Sequence, residues 1–232
     1  MKNKTPTTPP SAAKTMRLNK FISHAGICSR READTLIQAG HITVNGQQVT
    51  TLGYQVTPRD VVKYRNKPLS AERLQYVLLN KPKNCITTAK DPQERQTVLH
   101  LTRNACPERI YPVGRLDRNT TGLLLLTNDG ALATKLSHPA SKVKKLYHVT
   151  LDRPLASKDF DQLQAGVQLE DGVAHIDELA IATQDRTSVG LVIHMGRNRI
   201  IRRLFEHLNY AVEKLDRVLY AHLTKKELPR GQ

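Results

Sequence analysis

The chain has 232 residues, and its 36 lysine and arginine residues outnumber 21 aspartate and glutamate residues, giving a formal net charge of +15. This length allows one large domain, or one small and one medium domain, each with its own hydrophobic core. The sequence has no apolar stretch near the roughly 18 residues of a membrane span and no apolar signal segment, so we expect a cytoplasmic protein without a membrane partner.

The net charge and the rare residue types limit the classes of function that the protein can have. A positive surplus of this size favours a polyanionic partner, nucleic acid first, over a merely soluble basic protein. The three cysteines, Cys28, Cys85 and Cys106, are widely separated and form no Cys-x-x-Cys pair, so we predict reduced thiols and no metal site. Tryptophan is absent and aromatic residues make up 4% of the chain, so any base-stacking platform must use one of a few tyrosines or phenylalanines.

The N-terminal region predicts a tail followed by a short helix. Residues 1–15 are rich in proline, threonine and lysine, a composition typical of a disordered basic tail. From Leu18 to Ala25 the apolar residues recur at helical spacing, and Gly26 provides a left-handed stop.

A second helix and a hairpin follow. Ser29 and Glu32 form a capping-box pattern at the start of a helix that ends near Gly40. Asn45-Gly46 between two short strand patterns then predicts a hairpin with a type I′ turn. A unit of about fifty residues is too small for an enzyme, so we expect it to bind a partner.

Three segments of this unit resemble the S4 RNA-binding domain: Arg17-Leu-Asn-Lys-Phe-Ile, Gly26-Ile-Cys-Ser-Arg-Arg-Glu-Ala and Ile42-Thr-Val-Asn-Gly. The resemblance implies an S4-type domain over residues 16–64, built as two helices and a small β element. It places three basic residues on or beside RNA-facing helices, where they would contact phosphates. They are Lys20, Arg30 and Arg31. Without the resemblance, a solvated helix face is the preferred explanation for them.

Residues 65–75 have no periodicity and predict a linker, and a second domain of α+β class with a mostly antiparallel sheet is predicted over residues 76–232. Strands are predicted at Tyr76–Leu79, Ile110–Val113, Leu123–Thr127, Tyr147–Leu151 and Leu191–His194. Helices are predicted at Ala131–Leu136 and Ile200–Leu208.

The most informative segment of this domain is a polar loop directly before a strand of four leucines. Asp117 lies on the loop, where a carboxylate can be partly desolvated and still reach a ligand, and Arg115 and Arg118 can hold it ionised. An aspartate in such a loop is more often a turn former than a catalyst.

Two stretches, Gly114-Arg-Leu-Asp and Thr121-Gly-Leu-Leu-Leu-Leu-Thr-Asn-Asp-Gly, resemble the catalytic loop of the RsuA/RluB type of bacterial ribosomal RNA pseudouridine synthases. The resemblance implies a pseudouridine synthase domain with a mixed sheet, in which Asp117 attacks the target uridine. It implies base flipping assisted by Arg115, for which an ion pair with Asp117 is the plainer explanation. It implies no cofactor and no metal, because the reaction is an isomerisation.

Two further motifs carry candidate site residues. Lys145-Leu-Tyr-His-Val resembles the family's Lys-x-Tyr-x-Val strand, which implies that Tyr147 stacks on the base and that Lys145 lies near RNA; an inward strand tyrosine is otherwise simply core. In Met195-Gly-Arg-Asn-Arg-Ile-Ile-Arg-Arg the resemblance implies that Arg202 meets the catalytic aspartate, although Ile200 stands where the family usually has glutamine. The remaining basic residues are expected to bind the RNA backbone. They are Lys81, Arg118, Arg197, Arg199 and Arg203.

The sequence therefore predicts a monomeric pseudouridine synthase that acts on ribosomal RNA or a pre-ribosomal particle. The residues of its motifs favour large-subunit ribosomal RNA as the substrate. A small-subunit target stays open. So do a non-catalytic ribosome-assembly factor and a glycosylase that releases free uracil.

Overall fold

The computed structural model describes residues 15–232. The predicted tail over residues 1–15 therefore lies, except for Thr15, outside the described residues. The chain divides into two compact units, with the boundary between Arg73 and Leu74. No helix among the described residues is long and apolar enough to cross a membrane.

The first unit combines two helices with short strands. Its helices are α1 (Leu18–His24) and α2 (Arg30–Gln38). Its strands are β1 (Met16–Arg17), β2 (Ile42–Val44), β3 (Gln47–Gln48), β4 (Gln55–Val56), β5 (Val62–Tyr64) and β6 (Lys67–Pro68). Strands β3, β2, β5 and β6 form an antiparallel sheet in that order, and β1 pairs with β4. Leu18 and Ile22 of α1 pack against Ala33 and Ile37 of α2 in one buried cluster.

Both local signals of this unit are confirmed. The Ser29 side chain accepts a hydrogen bond from the Glu32 backbone N–H at 3.3 Å, and the Glu32 carboxylate accepts one from the Ser29 N–H at 2.9 Å. Val44 pairs with Gln47, which leaves Asn45 and Gly46 as a two-residue loop with φ of 52° and 84°. Positive φ at both positions is the type I′ geometry predicted.

Strand β6 lies inside the stretch predicted as a linker. Arg65 and Asn66 adopt left-handed backbone angles, φ of 46° and 65°, and this turn brings Lys67–Pro68 back onto Lys63 and Tyr64. Regular structure in the first unit therefore extends to Pro68.

The second unit is built on an eight-stranded sheet. The strands of the unit are β7 (Tyr76–Lys81), β8 (Tyr111–Pro112), β9 (Thr121–Thr127), β10 (Lys145–Leu151), β11 (Val167–Leu169), β12 (Gly172–Ala174), β13 (Glu178–Ile181), β14 (Ser188–Ile193), β15 (Val212–Tyr220) and β16 (Leu223–Thr224). Its helices are α3 (Val98–Thr102), α4 (Gly130–Ser137), α5 (Ser157–Ala165) and α6 (Ile200–His207).

The order in the large sheet is β13-β14-β10-β15-β9-β7, with β8 added to β9 and β16 to β15, while β11 and β12 form a separate hairpin. Only the β9–β15 pairing is parallel among the described strands. The predicted α+β class with a mostly antiparallel mixed sheet is confirmed.

Strand β9 is buried on both faces. Leu124 and Leu126 belong to the main core, whereas Leu123 and Leu125 pack in a second cluster with Tyr220. This explains the run of four leucines in place of an alternating pattern. The strand thus forms a rigid support for the loop that precedes it.

Gly122 lets β15 approach β9 closely. Its φ is +106°, and a Cβ atom added there would lie 2.2 Å from the carbonyl oxygen of Arg217. Only glycine fits both the backbone angle and the space.

Candidate active site

Asp117 lies on the loop between β8 and β9, and neighbouring apolar residues anchor that loop. Leu116 is buried, and its backbone exchanges hydrogen bonds with the Thr87 hydroxyl, which donates to the Leu116 oxygen at 2.8 Å. The Thr120 N–H donates to the Asp117 carbonyl at 3.1 Å and closes a turn around the aspartate. The Asp117 side chain itself keeps 40% of its surface exposed, so its carboxylate stays accessible.

Lys81 stabilises the same loop through hydrogen bonds to its backbone. It is fully buried at the end of β7, and its ammonium donates hydrogen bonds to the carbonyl oxygens of Pro82, Arg118 and Thr120 at 3.0, 3.2 and 2.8 Å. Burial lowers the pKa of Lys81 to about 8. The expectation that Lys81 contacts RNA is corrected, because all three of its donors serve backbone carbonyls and none is open to a ligand.

Two adjoining cavities meet at Asp117. The larger has a volume of about 740 Å³ and the smaller about 430 Å³, and both are lined by Asp117 and Arg199. Among the described residues, Asp117 is the only carboxylate that lines the larger cavity. Basic residues line it in excess: Arg115, Lys145, Arg197, Arg199 and Arg217.

Tyr147 lies in the wall of the larger cavity. It is 8% exposed, and on β10 it stands opposite Leu191 of β14 and Arg217 of β15. The structure therefore brings Tyr147 and Asp117, 30 residues apart in sequence, to one cavity.

The cation paired with Asp117 differs from the one expected. An Arg199 Nη1 atom lies 3.8 Å from the Asp117 carboxylate. Arg202 also lines the smaller cavity, but its Nη1 donates to the Val212 carbonyl at 2.6 Å, and it forms no ion pair with Asp117 within 4 Å. Burial lowers the pKa of Arg202, and the Asp117 charge partly offsets this. Arg202 and Asp117 thus share a cavity without forming an ion pair within 4 Å, and the predicted contact between them stays a prediction.

The chain is similar in sequence to proteins of a known family. Residues 75–207 match the family model described as RNA pseudouridylate synthase, and residues 16–62 match the S4 domain. The chain is 42% identical over 219 residues to ribosomal large subunit pseudouridine synthase B of Bacillus subtilis, with 93% of this chain and 89% of that protein covered. The chain belongs to the RNA pseudouridine synthase family. It is thus an isomerase that converts uridine in RNA to pseudouridine.

Two further similarities extend over most of the synthase. It is 36% identical to the dual-specificity RNA pseudouridine synthase RluF of Escherichia coli over 94% of this chain and 74% of that protein. A crystal structure of a pseudouridylate synthase matches with a TM-score of 0.65 and 27% identity, covering 94% of both chains. The predicted family and the predicted type of enzyme are confirmed.

Three other basic residues predicted to hold RNA have partners inside the synthase. Lys145 donates to the carbonyl oxygens of Val143 and His194 at 3.3 and 2.7 Å, and burial lowers its pKa to about 8. Arg197 and Arg203 both pair with Asp171 in the turn between β11 and β12. The prediction that Lys145 binds RNA is therefore corrected. As with Lys81, backbone carbonyl oxygens accept hydrogen bonds from its ammonium group.

The arginines of the loop itself remain open to ligands. Arg115 and Arg118 are exposed, and Arg115 lines the larger cavity while Arg118 lines the smaller. Neither forms an ion pair with Asp117 within 4 Å among the described residues. In the S4 unit, Arg30 and Arg31 are exposed in the first turn of α2, and Lys20 is half-buried on α1.

The sequence reasoning missed Arg217 and Tyr220, which also line the larger cavity of the synthase. Both belong to β15, a strand that was not predicted. The strand lacks a period-two pattern that could have identified it, because Val212, Leu215 and Tyr220 are three and five residues apart and four charged side chains lie between them. Among residues 15–232, no group of three His, Cys, Asp or Glu side chains is arranged to hold a metal ion.

Proposed function

We propose that this synthase converts a specific uridine of large-subunit ribosomal RNA to pseudouridine, with Asp117 as the essential carboxylate and Tyr147 as the side chain that stacks on the base. The observation that carries the proposal is the larger cavity, in which Asp117 is the only lining carboxylate within residues 15–232 and Tyr147 forms part of the wall. A volume of about 740 Å³ lies in the range of small-molecule sites and accommodates one flipped nucleotide.

The chemistry needs few groups. The bond between N1 of uracil and C1′ of ribose breaks, the ring turns, and a bond forms between C5 and C1′. The C5 proton leaves and N1 gains a proton, so atoms balance without a second substrate. Asp117 supplies the carboxylate for glycosidic cleavage, and the Arg199 guanidinium lies 3.8 Å from it.

Two observations support ribosomal RNA as the substrate: the names of similar proteins and the positive net charge of this chain. The Bacillus subtilis relative is named for the large ribosomal subunit and is 42% identical. The S4 match over residues 16–62 and the net charge of +15 favour a folded polyanion as substrate. We infer that the synthase works as a cytoplasmic monomer, on free ribosomal RNA or on a pre-ribosomal particle. Lys20, Arg30 and Arg31 would add phosphate contacts from the S4 unit, and Arg118 from the loop.

The test compares wild type with Asp117→Asn on ribosomal RNA that lacks pseudouridine and on pre-ribosomal particles from a deletion strain. Carbodiimide-blocked reverse transcription then maps each pseudouridine as a stop. A matched control is Asp161→Asn, which removes an exposed carboxylate of α5 outside both cavities. We expect one new stop in large-subunit RNA with wild type and Asp161→Asn, and none with Asp117→Asn.

Three other results would contradict parts of this proposal. A stop confined to small-subunit RNA would move the target without changing the chemistry. Tight RNA binding with no stop on any substrate would favour a ribosome-assembly factor, and release of free uracil would indicate a glycosylase.

A further inference from the structure

Arg217 is a buried cation whose side chain has unused hydrogen-bond donors at the larger cavity. The residue is 2% exposed, and its Nε donates to the Leu123 carbonyl at 2.8 Å. Its guanidinium stacks on the Tyr220 ring at 4.5 Å, and both residues line the larger cavity. Among the described residues neither Nη atom has a hydrogen-bond acceptor, and Nη2 is completely buried.

An unpaired guanidinium is costly to bury. Buried charges in proteins are normally paired or fully hydrogen bonded, because each lost donor interaction carries a large desolvation penalty. No carboxylate of the described residues lies within 4 Å of Arg217, and its strand neighbour Asp216 pairs with Lys225 and Arg230 instead. The missing partner of Arg217 is therefore expected to arrive with a ligand.

The position of Arg217 identifies that ligand. On β15 it stands directly opposite Tyr147 of β10, so the two side chains lie on the same face of the sheet. Lys145, two residues before Tyr147, adds a second positive charge to the same wall and feels the charge of Arg217. A ring that stacks on Tyr147 would thus meet the free donors of Arg217 at its edge.

We propose that Arg217 recognises the target uracil, donating from its Nη atoms to a carbonyl oxygen of the ring and stabilising the negative charge that the ring carries after glycosidic cleavage. When the N1–C1′ bond breaks heterolytically, the electron pair stays on N1 and spreads to the O2 and O4 atoms. The ring then turns, C5 bonds to C1′, the C5 proton is lost and N1 is protonated. Arg217 would therefore bind the free ring more strongly than the uncleaved nucleotide, which is the condition for lowering a barrier.

This role rests on uridine isomerisation, and a chemical double-mutant cycle tests it. Wild type, Arg217→Lys and Arg217→Gln are assayed on transcripts of large-subunit ribosomal RNA and on bulk RNA transcripts, with pseudouridine quantified chromatographically. Matching transcripts carry 2-thiouridine or 4-thiouridine, because sulfur accepts hydrogen bonds less well than oxygen. Arg153→Gln is the matched control, since Arg153 also stacks on a tyrosine, Tyr210 at 4.5 Å, but lies outside both cavities.

We expect Arg217→Gln to lower kcat by about 10²- to 10³-fold, as for the loss of one preorganised donor, with KM and RNA affinity nearly unchanged. Arg153→Gln should retain wild-type kcat. Wild type should lose rate on one of the two thio-substituted RNAs, and the Arg217 variants should show no further loss on that RNA. If Arg217→Gln fails to fold, Arg217→Lys provides the same comparison, because it keeps the charge but loses the fork of donors.

The assignment is wrong if the Arg217 variants keep wild-type kcat, if neither thio substitution slows wild type, or if every protein loses the same factor on each thio-substituted RNA. A wild type active only on bulk RNA would overturn the ribosomal target while leaving the Arg217 comparison intact. A wild type inactive on every RNA would overturn the proposed function and this role together.

Discussion

The Lys81 ammonium and the Thr120 carbonyl oxygen are 2.8 Å apart, and this buried hydrogen bond joins the end of β7 to the end of the loop that carries Asp117. A second bond from Lys81 reaches the Arg118 carbonyl, so one side chain holds the loop directly after the aspartate. The position of the carboxylate thus depends on a residue that does not touch the cavities.

Replacing Lys81 by methionine should loosen the loop. The substitution leaves the carbonyls of Arg118 and Thr120 buried without donors, which should cost about 2 kcal/mol in the free energy of unfolding. We expect kcat to fall at least tenfold while RNA affinity is retained. Urea unfolding and single-turnover kinetics measure the two effects, with the exposed Lys158→Met as control. Equal stability of Lys81→Met and wild type would contradict the role of the ammonium.

The pKa of Lys81, lowered to about 8, predicts a pH dependence of stability. Between about pH 8 and the ordinary lysine pKa near 10.4, the unfolded chain keeps the proton that the folded protein has released. Stability therefore rises with pH in this window as far as Lys81 contributes. We expect the stability difference between wild type and Lys81→Met to shift in favour of wild type from pH 8 to pH 10. A difference independent of pH across this range would exclude the lowered pKa.

Arg199 combines an ion pair with a strained backbone. Its φ is +46°, and its guanidinium lies 3.8 Å from Asp117 with 46% of the side chain exposed. Arg199→Gly should remove the pair without strain, whereas Arg199→Ala keeps the strain and should be less stable than the glycine variant by about 1 kcal/mol. Both should lower kcat/KM equally and by less than about tenfold, because exposed ion pairs contribute little. Thermal unfolding and steady-state kinetics check these values, and a larger loss in one variant alone would show a backbone effect on catalysis.

Tyr147→Phe separates stacking from proton transfer. The Tyr147 hydroxyl has no hydrogen-bond partner among the described residues, so its removal should leave stability unchanged within about 0.5 kcal/mol. If the hydroxyl moves a proton, kcat should fall about 10²-fold or more with RNA affinity unchanged. Tyr220→Phe is the comparison, since its hydroxyl donates to the Leu136 carbonyl at 3.2 Å and should affect stability. If Tyr147→Phe keeps the wild-type kcat, the hydroxyl does not transfer a proton, and stacking on the base is the only role left for Tyr147.

The fold could be predicted wherever local patterns determine it. The capping box at Ser29, the Asn45-Gly46 turn and the leucines of β9 each depend on residues close in sequence, and all three are found as expected. Strand β15 depends instead on pairing with β9 and β10. Arg217 is buried there because a carbonyl of β9 and the Tyr220 ring receive it, and no sequence pattern indicates such a partner.

The candidate site also contains residues that could be predicted from the sequence and residues that could not. Asp117 and Tyr147 could be proposed as site residues because their motifs resemble those of a family, and both line one cavity. The lysines could not be interpreted correctly, since a lysine that contacts RNA and one that holds backbone carbonyls look alike in sequence. Lys81 and Lys145 differ from exposed lysines only in the carbonyl oxygens that the fold brings to them.

The place of β15 in the sheet has a consequence for biosynthesis. The strand spans residues 212–220, yet it joins β9, which ends at Thr127, to β10, which ends at Leu151. The two halves of the sheet cannot meet until the ribosome has released those late residues, so folding of the second unit involves contacts between segments far apart in the chain. A nascent chain that has exposed the Asp117 loop but not β15 still lacks one wall of the larger cavity. The larger cavity can therefore form only after residues 212–220 have been synthesised.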